Sequence, residues 1–253
     1  MIPYGTHTVS WRDALEVAWQ VKTKSLTQGA RIQEFEEKIA NYVGATYAVA
    51  VSSATAGLHI SMLALDLPSE SEVVTSPISF VASSNVILYT GLKPVFLDID
   101  PNTINISPEL FKNYCSNNSN VKAVIPVHFA GLPCEMSSLH ATATNFGIKI
   151  IEDAAHALGG SYDSGEKIGS CKYSDLTVFS FHPVKAITTG EGGVVTTNSL
   201  DLYRKLLLLR SHGITKMEES FQNQIISSSD GKFNSWYYEM QILGFHYRLT
   251  EIQ

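Results

Sequence analysis

Short apolar runs rich in β-branched residues alternate with segments of helical periodicity along most of this 253-residue chain. This alternation is typical of a mainly parallel sheet with helices on its faces, because consecutive parallel strands need a crossover connection. Seven runs are predicted as strands: Tyr47–Ser52, Glu72–Thr75, Pro94–Asp98, Ala123–Val127, Lys149–Glu152, Thr177–Phe181 and Gly193–Thr197. We therefore expect an α/β fold in which ligands gather at the carboxyl ends of the strands.

The remaining pattern predicts the helices and the division of the chain. Helical periodicity covers Thr27–Tyr42, Thr55–Leu65, Phe80–Thr90, Pro108–Cys115, Met136–Phe146 and Leu200–Ser211. We expect residues 1–214 to form one large domain with an N-terminal arm. Residues 215–235, rich in Ser, Asn and Gln, predict a mobile surface loop. The last residues, from Tyr247, have the pattern of the opening turns of a further helix, so we expect residues 215–253 to lead toward a truncated second domain.

Composition excludes several classes of function. The net charge is −6 and no long basic block occurs, which argues against nucleic acid binding. Cys115, Cys134 and Cys171 are odd in number and lack C-x-x-C spacing, so neither a disulfide framework nor a metal site is predicted. Because no signal-peptide pattern or membrane-spanning apolar run occurs, we expect a cytoplasmic protein without membrane contact.

Lys185 is the first candidate for chemistry. It lies between a strand-like run that ends in Phe-His-Pro-Val and the turn Thr-Thr-Gly-Glu-Gly-Gly. An amine held in a walled pocket can lose its proton and attack a carbonyl. The alternative is an ordinary surface lysine in a loop. If the amine is reactive, it suits covalent attachment of pyridoxal phosphate (PLP) and later movement of a proton.

Asp153 and His156 extend this hypothesis. Asp153 follows a buried strand, and a carboxylate that stays ionised beside a pyridine nitrogen would keep the PLP ring protonated. Alternatively, Asp153 caps a helix that begins at Ala154. On a helical turn His156 would share a face with Asp153 and could lie over the ring or bond its oxygen. It could equally be a buried, satisfied histidine.

Three further segments could hold the rest of the cofactor. Ala54 and Thr55 open a predicted helix, where free N–H groups and a hydroxyl would bind a phosphate. Ser180, at the end of a strand, is a further phosphate donor. Phe80 could lie on the pyridine face. Helix capping is the alternative for the segment of Ala54 and Thr55, and core packing is the alternative for Phe80.

Together these motifs resemble the DegT/DnrJ/EryC1/StrS family of sugar aminotransferases, which have the aspartate aminotransferase (type I) fold. The resemblance rests on Thr27-Gln-Gly, Ser53-Ala-Thr-Ala, Ser79-Phe-Val-Ala, Asp98-Ile-Asp, Glu152-Asp-Ala-Ala-His156, Ser180-Phe-His-Pro-Val-Lys185 and Thr189-Gly-Glu-Gly-Gly193. It implies that Lys185 carries PLP, that Asp153 meets the pyridine nitrogen, that His156 lies near the ring oxygen and that Phe80 stacks on the ring.

Within the family, four segments resemble the branch that aminates C4 of a UDP-linked 4-keto-6-deoxy-N-acetylhexosamine on the way to pseudaminic acid. They are Ile2-Pro-Tyr-Gly5, Val124-Ile-Pro-Val-His-Phe-Ala-Gly131, Ser211-His-Gly-Ile214 and Trp236-Tyr-Tyr-Glu239. The implied amino donor is L-glutamate. A GDP- or dTDP-linked sugar is an alternative substrate, and a non-catalytic fragment of the same fold is an alternative of another class.

The resemblance also implies a homodimer, with Arg248 and residues 215–240 near the neighbouring subunit. Relatives send an asparagine to the partner's phosphate, where this chain has His246. The family's C-terminal small domain has no counterpart. Sugar dehydratases of this fold replace the lysine by histidine, so Lys185 argues against dehydration. An NAD-binding protein is disfavoured because no G-x-G-x-x-G follows the first strand.

Overall fold

The structure, a computed structural model, describes residues 5–217, 220–229 and 232–253. Most of the opening Ile2-Pro-Tyr-Gly motif therefore lies outside the described residues, as do positions 218–219 and 230–231 of the predicted 215–235 loop.

A seven-stranded, mostly parallel sheet forms the centre of the fold, as predicted. Its strands are β1 (Tyr47–Val51), β2 (Glu72–Thr75), β3 (Lys93–Phe96), β4 (Val121–Ile125), β5 (Lys149–Asp153), β6 (Leu176–Ser180) and β7 (Gly193–Thr197). The spatial order is β1-β7-β6-β5-β4-β2-β3. The neighbouring pairs β3–β2, β2–β4, β4–β5 and β5–β6 are parallel, whereas β7 is antiparallel to both β6 and β1. The predicted strands are confirmed, with ends displaced by one or two residues.

The register places several strand ends at one edge of the sheet. Gly193, the first residue of β7, pairs with Val51 on one side and with Ser180 on the other. Asp153 at the end of β5 pairs with Val178 of β6. Because β1, β5 and β6 share one direction, the residues that follow them meet at the same edge, as the sequence predicts.

Helices cover both faces of this sheet. They are α1 (Trp11–Thr23), α2 (Ala30–Val43), α3 (Ala54–Ala64), α4 (Ala82–Tyr89), α5 (Pro108–Asn117), α6 (Met136–Phe146), α7 (Leu200–Arg210) and the single turn α8 (Gln224–Ser227). One buried cluster joins α2, α5 and α6 to the sheet, and a second joins α3, α4 and α7 to the opposite face. Burial of apolar surface on both faces accounts for the near-continuous apolar strands.

Helix α1 was not predicted from the sequence. It begins at a capping box in which the Ser10 N–H donates to Asp13 Oδ2 at 2.8 Å and the Asp13 N–H donates to Ser10 Oγ at 3.2 Å. Gln20 is its only buried residue, while Trp11 and Leu15 are exposed. None of its apolar residues is buried in the core, so the packed layers of the fold do not include this helix.

The alternative helix after Asp153 and the expected helix at the end of the chain are both absent from the described residues. At residues 154–157 the Ala154 N–H donates to the Val178 carbonyl at 2.9 Å, and the chain then turns, since the Ala157 N–H donates to the Ala154 carbonyl at 2.9 Å. Near the end, a turn replaces the expected helix, and both the Thr250 N–H and hydroxyl donate to Gln253 Oε1. In the first place the competing bond is to another strand, and in the second it is a local side-chain bond.

The segment after α7 forms two small antiparallel pairs. Ile214–Thr215 pairs with Glu239–Met240, and Ser228–Ser229 pairs with Lys232–Phe233. The three cysteines are buried free thiols. Among the helices of the described ranges, none has the length and apolar character needed to cross a membrane.

Candidate active site

Lys185 lies on the loop that joins β6 to β7, at the edge where the strand ends meet. Its backbone N–H donates to the His182 carbonyl at 2.9 Å, which closes a turn around Pro183. The side chain is half-buried, and desolvation lowers the pKa of its amine, although the Asp153 carboxylate acts in the opposite direction. The amine is therefore easier to deprotonate than an ordinary surface lysine.

Asp153 is buried, with 5% of its surface exposed, and its carboxylate accepts two hydrogen bonds. The Ser83 hydroxyl donates to Oδ2 at 2.7 Å, and the Ala155 N–H donates to Oδ1 at 3.2 Å. The alternative, in which Asp153 caps a helix that begins at Ala154, is therefore wrong, because its carboxylate bonds the N–H two residues further on and closes a short turn. Its backbone is also fixed, since its N–H donates to the Pro126 carbonyl and its own carbonyl accepts from the His128 N–H.

His156 follows on the exposed side of that turn. Desolvation lowers its pKa, the nearby Lys185 cation lowers it further, and the Asp153 carboxylate raises it. The three side chains therefore lie within electrostatic range of one another. The predicted shared helical face is wrong, because the turn at residues 154–157 brings His156 here without a helix, and the side chain is not a buried core histidine.

The chain also forms an anion-binding geometry at the start of α3. The Ser53 hydroxyl caps the helix by accepting the Ala56 N–H at 3.1 Å. The N–H groups of Ala54 and Thr55, in the first turn, have no acceptor within the helix. A Cβ at Gly193 would lie 2.7 Å from the Ala54 nitrogen, so only glycine lets β7 start this close to the α3 terminus.

Ser180 and Phe80 lie at the same edge in different surroundings. Ser180 is 9% exposed. Gly193 of β7 pairs with Ser180 on one side and with Val51 of β1 on the other, so Ser180 lies close to the end of β1. Phe80 precedes α4 and is 74% exposed. Core packing, the alternative for Phe80, is therefore wrong, and its ring is available to a ligand.

His246 is an exposed histidine beside two basic neighbours. Arg248 donates to its Nε2 at 2.9 Å, and its ring stacks on that of His212 with 5.1 Å between centroids. In this contact Nε2 accepts from the guanidinium, so Nδ1 is the ring nitrogen left to donate. The next residue, Tyr247, accepts the Ser52 N–H through its carbonyl, so this segment lies next to the α3 terminus.

Sequence reasoning missed a buried polar cluster beneath the candidate site. Glu152 is fully buried and accepts bonds from Tyr162 at 2.7 Å, Ser174 at 2.5 Å and Thr177 at 3.0 Å. His128 Nε2 lies 2.7 Å from the same carboxylate. Burial opposes the charge on Glu152, but the hydrogen bonds from His128, Ser174 and Tyr162 outweigh it and lower its pKa.

The tautomer of His128 follows from its second contact. The Cys134 N–H donates to Nδ1 at 3.0 Å, so this nitrogen carries no proton and the ring donates from Nε2 to Glu152. Since the His128 N–H also holds the Asp153 carbonyl, the cluster fixes the backbone of the candidate carboxylate.

The residues present fit PLP. A lysine of lowered pKa, a buried carboxylate and a set of free N–H groups lie at one edge of the sheet, and these are the groups that the aldehyde, the pyridine nitrogen and the phosphate require. Among the described residues no group of three His, Cys, Asp or Glu side chains is arranged to hold a metal ion.

Comparison with known proteins gives a consistent result. Residues 9–253 match the model of the DegT/DnrJ/EryC1/StrS aminotransferase family. The chain is 36% identical over 252 residues to the UDP-4-amino-4,6-dideoxy-N-acetyl-beta-L-altrosamine transaminase of Campylobacter jejuni, covering 100% of this chain and 62% of the relative.

Solved structures resemble the fold closely. Helicobacter pylori PseC, an aminotransferase involved in the biosynthesis of pseudoaminic acid, superposes with a TM-score of 0.86 at 32% identity and covers 99% of this chain. Spr1654 of Streptococcus pneumoniae, in its PLP form, gives a TM-score of 0.84 at 26% identity over 99% of this chain. The chain spans 62% of the PseC chain and 64% of the Spr1654 chain.

Proposed function

The chain belongs to the DegT/DnrJ/EryC1/StrS aminotransferase family, and on that premise we propose that it carries out PLP-dependent transamination of a nucleotide-linked 4-keto-6-deoxy sugar at C4. L-glutamate is the proposed amino donor. The observation that carries the proposal is the half-buried Lys185, whose pKa is lowered, within electrostatic range of the buried Asp153 carboxylate.

Each site residue has a part in this proposal. PLP, when bound, supplies an electron sink for the carbon that loses its proton. Lys185 tethers the cofactor through its amine and, once displaced by the amino donor, moves a proton between the substrate carbon and the cofactor. Asp153 keeps the pyridine nitrogen protonated. His156, whose lowered pKa keeps it neutral, bonds the ring oxygen.

The remaining contacts hold the cofactor in place. Ala54 and Thr55 bind the phosphate through the α3 terminus, and Ser180 adds a hydroxyl. Phe80 covers the ring with its exposed face. In a homodimer, His246 of the partner subunit would donate to the same phosphate. Residues 1–214 form the PLP-binding domain in this proposal, and the described residues after 214 belong to its connecting segment.

The proposed substrate is UDP-4-keto-6-deoxy-N-acetylhexosamine. Support comes from the four sequence segments that resemble the pseudaminic acid branch and from the Campylobacter jejuni relative, which is a transaminase of a UDP-linked dideoxy sugar. A GDP- or dTDP-linked keto sugar is the second candidate, and support for a dTDP-linked one comes from the similar structure of DesI, which was solved in the presence of its TDP-sugar product.

Reductive labelling tests the cofactor site. The protein is incubated with PLP, reduced with borohydride and digested, and the modified peptide is identified by mass spectrometry. We expect the label on Lys185, and we expect Lys185→Ala to lose both the label and the visible absorbance of the bound cofactor. Lys172→Ala is the control, since that exposed lysine pairs with Glu166. Labelling of another lysine in preference to Lys185 at stoichiometric PLP would contradict the site assignment.

A substrate panel tests the reaction. The protein is given L-glutamate and UDP-, GDP- or dTDP-linked 4-keto-6-deoxy sugars in turn, and 2-oxoglutarate is measured. We expect ping-pong kinetics with the UDP-linked sugar, because both substrates use one site in succession. If PLP labels Lys185 but no sugar supports 2-oxoglutarate release, the chain is the non-catalytic form of the fold.

A further inference from the structure

We propose that Ser83 is a positioning residue that holds the Asp153 carboxylate toward the cofactor, with Ser79 completing the arrangement. This inference rests on the proposed function, because the role of Asp153 does. Ser83 is not among the candidate residues that the sequence motifs suggest, and Ser79 opens the Ser79-Phe-Val-Ala motif without a role assigned to it.

The contact between Ser83 and Asp153 is short, buried and polar. Ser83 is 1% exposed, and its Oγ lies 2.7 Å from Asp153 Oδ2. An ionised carboxylate only accepts, so the serine is the donor. Hydrogen bonds to a charged group in a buried site are roughly twice as strong as neutral ones. The bond joins the start of α4 to the end of β5.

The second serine determines how the first is oriented. Ser79 Oγ lies 2.8 Å from Ser83 Oγ. Because the single hydroxyl proton of Ser83 is committed to the carboxylate, the proton between the two serines comes from Ser79, whose other acceptor, the Phe80 carbonyl, is more distant at 3.1 Å. The chain of donors therefore runs from Ser79 through Ser83 to Asp153.

This chain of hydroxyls also fixes the segment that bears the candidate stacking ring. Phe80 directly follows Ser79, and its carbonyl accepts the Ser83 N–H at 3.3 Å. One turn thus holds both the aromatic residue and the donor to Asp153. Movement of this turn would displace the ring and the carboxylate together.

Without Ser83, the carboxylate would lose its stronger anchor. Its other bond, from the Ala155 N–H to Oδ1, is longer, at 3.2 Å. The side chain could then turn about χ2, and its oxygens would no longer be held in one orientation. A carboxylate oxygen accepts more than one donor, so the Ser83 bond leaves room for a pyridinium N–H.

The test compares Ser83→Ala and Ser83→Thr with the control Ser84→Ala. Ser84 lies on the same helix, but its hydroxyl donates to the Val81 carbonyl at 3.0 Å. PLP binding is measured by titration, and protonation of the ring nitrogen is measured by NMR with ¹⁵N-labelled PLP. For Ser83→Ala we expect the Kd for PLP to rise about fivefold, as for the partial loss of one charge-assisted bond, and the protonated fraction of the nitrogen to fall. Ser83→Thr restores both, and Ser84→Ala matches the wild type.

The outcomes separate this inference from the proposed function. If PLP does not label Lys185 in the wild type, the proposed function fails and this inference falls with it. If the wild type is labelled but Ser83→Ala keeps the wild-type Kd and nitrogen signal, only the positioning role is overturned. If Ser83→Ala does not fold, Ser79→Ala decides, with a smaller shift of the nitrogen signal in the same direction expected and an unchanged signal refuting the inference.

Discussion

Replacing Tyr162 by phenylalanine tests whether the buried Glu152 cluster stabilises the fold as a charged acceptor. The Tyr162 hydroxyl lies 2.7 Å and 2.9 Å from the two oxygens of Glu152. Burial, with the adjacent carboxylate, raises the pKa of this phenol, so it stays protonated and donates. Phenylalanine keeps the ring and removes only the donor.

The expected loss follows from the type of bond. A hydrogen bond to a charged group contributes about 1.5–3 kcal/mol, so Tyr162→Phe should lower the free energy of unfolding by about 2 kcal/mol. For a chain of this size that corresponds to a fall in Tm of roughly 4–8 °C. Glu152 keeps the donors His128, Ser174 and Thr177, so the variant should still fold.

The pH dependence distinguishes this electrostatic effect from packing. The pKa of Glu152 is lowered in the folded protein, so its contribution is present above the unfolded pKa, about 4.3, and is lost as the pH falls through the folded value. The gap between wild type and Tyr162→Phe should therefore be complete at pH 7 and narrower below about pH 4.

Urea unfolding followed by far-UV circular dichroism at both pH values measures this gap. Tyr173→Phe is the matched control, because its hydroxyl makes an exposed, neutral bond to Ser164 at 3.0 Å. We expect the control to lose less than about 0.5 kcal/mol. A loss for Tyr162→Phe that is equally small, or the same at both pH values, would refute the reasoning.

Three further changes have defined outcomes. Gly193→Ala should lower the free energy of unfolding by about 1–3 kcal/mol in urea titrations, because its Cβ would lie 2.7 Å from the backbone at the start of α3; an unchanged midpoint would contradict the close approach. Glu251→Ala should cost about 1 kcal/mol, since its carboxylate accepts two N–H groups at the start of α2; no change in Tm would show that water replaces it. PLP labelling of Lys185 should reach its midpoint at a lower pH than labelling of Lys172, whose pKa is raised by its bond to Glu166. Mass spectrometry of both peptides across a pH series measures the two midpoints. A lower midpoint for Lys172 would contradict burial of Lys185.

The sheet and the position of the candidate site could be predicted because their signals are local. Each strand is an apolar run bounded by polar or turn residues, and Asp153, Ser180 and the start of α3 follow strands directly. Since parallel strands end at one edge, chain order alone indicates which of these residues meet. The family resemblance predicts the same arrangement.

The supporting contacts could not be predicted in this way. Ser83 reaches Asp153 across 70 positions, and His128 reaches Glu152 across 24. A serine inside a helix and a histidine after a strand have no periodicity that indicates a distant partner. The alternative helix after Asp153 is absent for the same reason, because the Ala154 N–H bonds to Val178 in another strand.

The reversed direction of β7 determines where the loop that bears the Lys185 amine lies. Since the first residue of β7 sits beside the last residue of β6, residues 181–192 return along a single rim and never cross the sheet. The Phe181 N–H reaches the Gly192 carbonyl at 2.9 Å, and the Thr189 N–H reaches the Phe181 carbonyl at 3.0 Å, so the loop is closed at its base. Because β6 and β7 run antiparallel, the whole loop that bears Lys185 stays at the rim where β5 ends in Asp153.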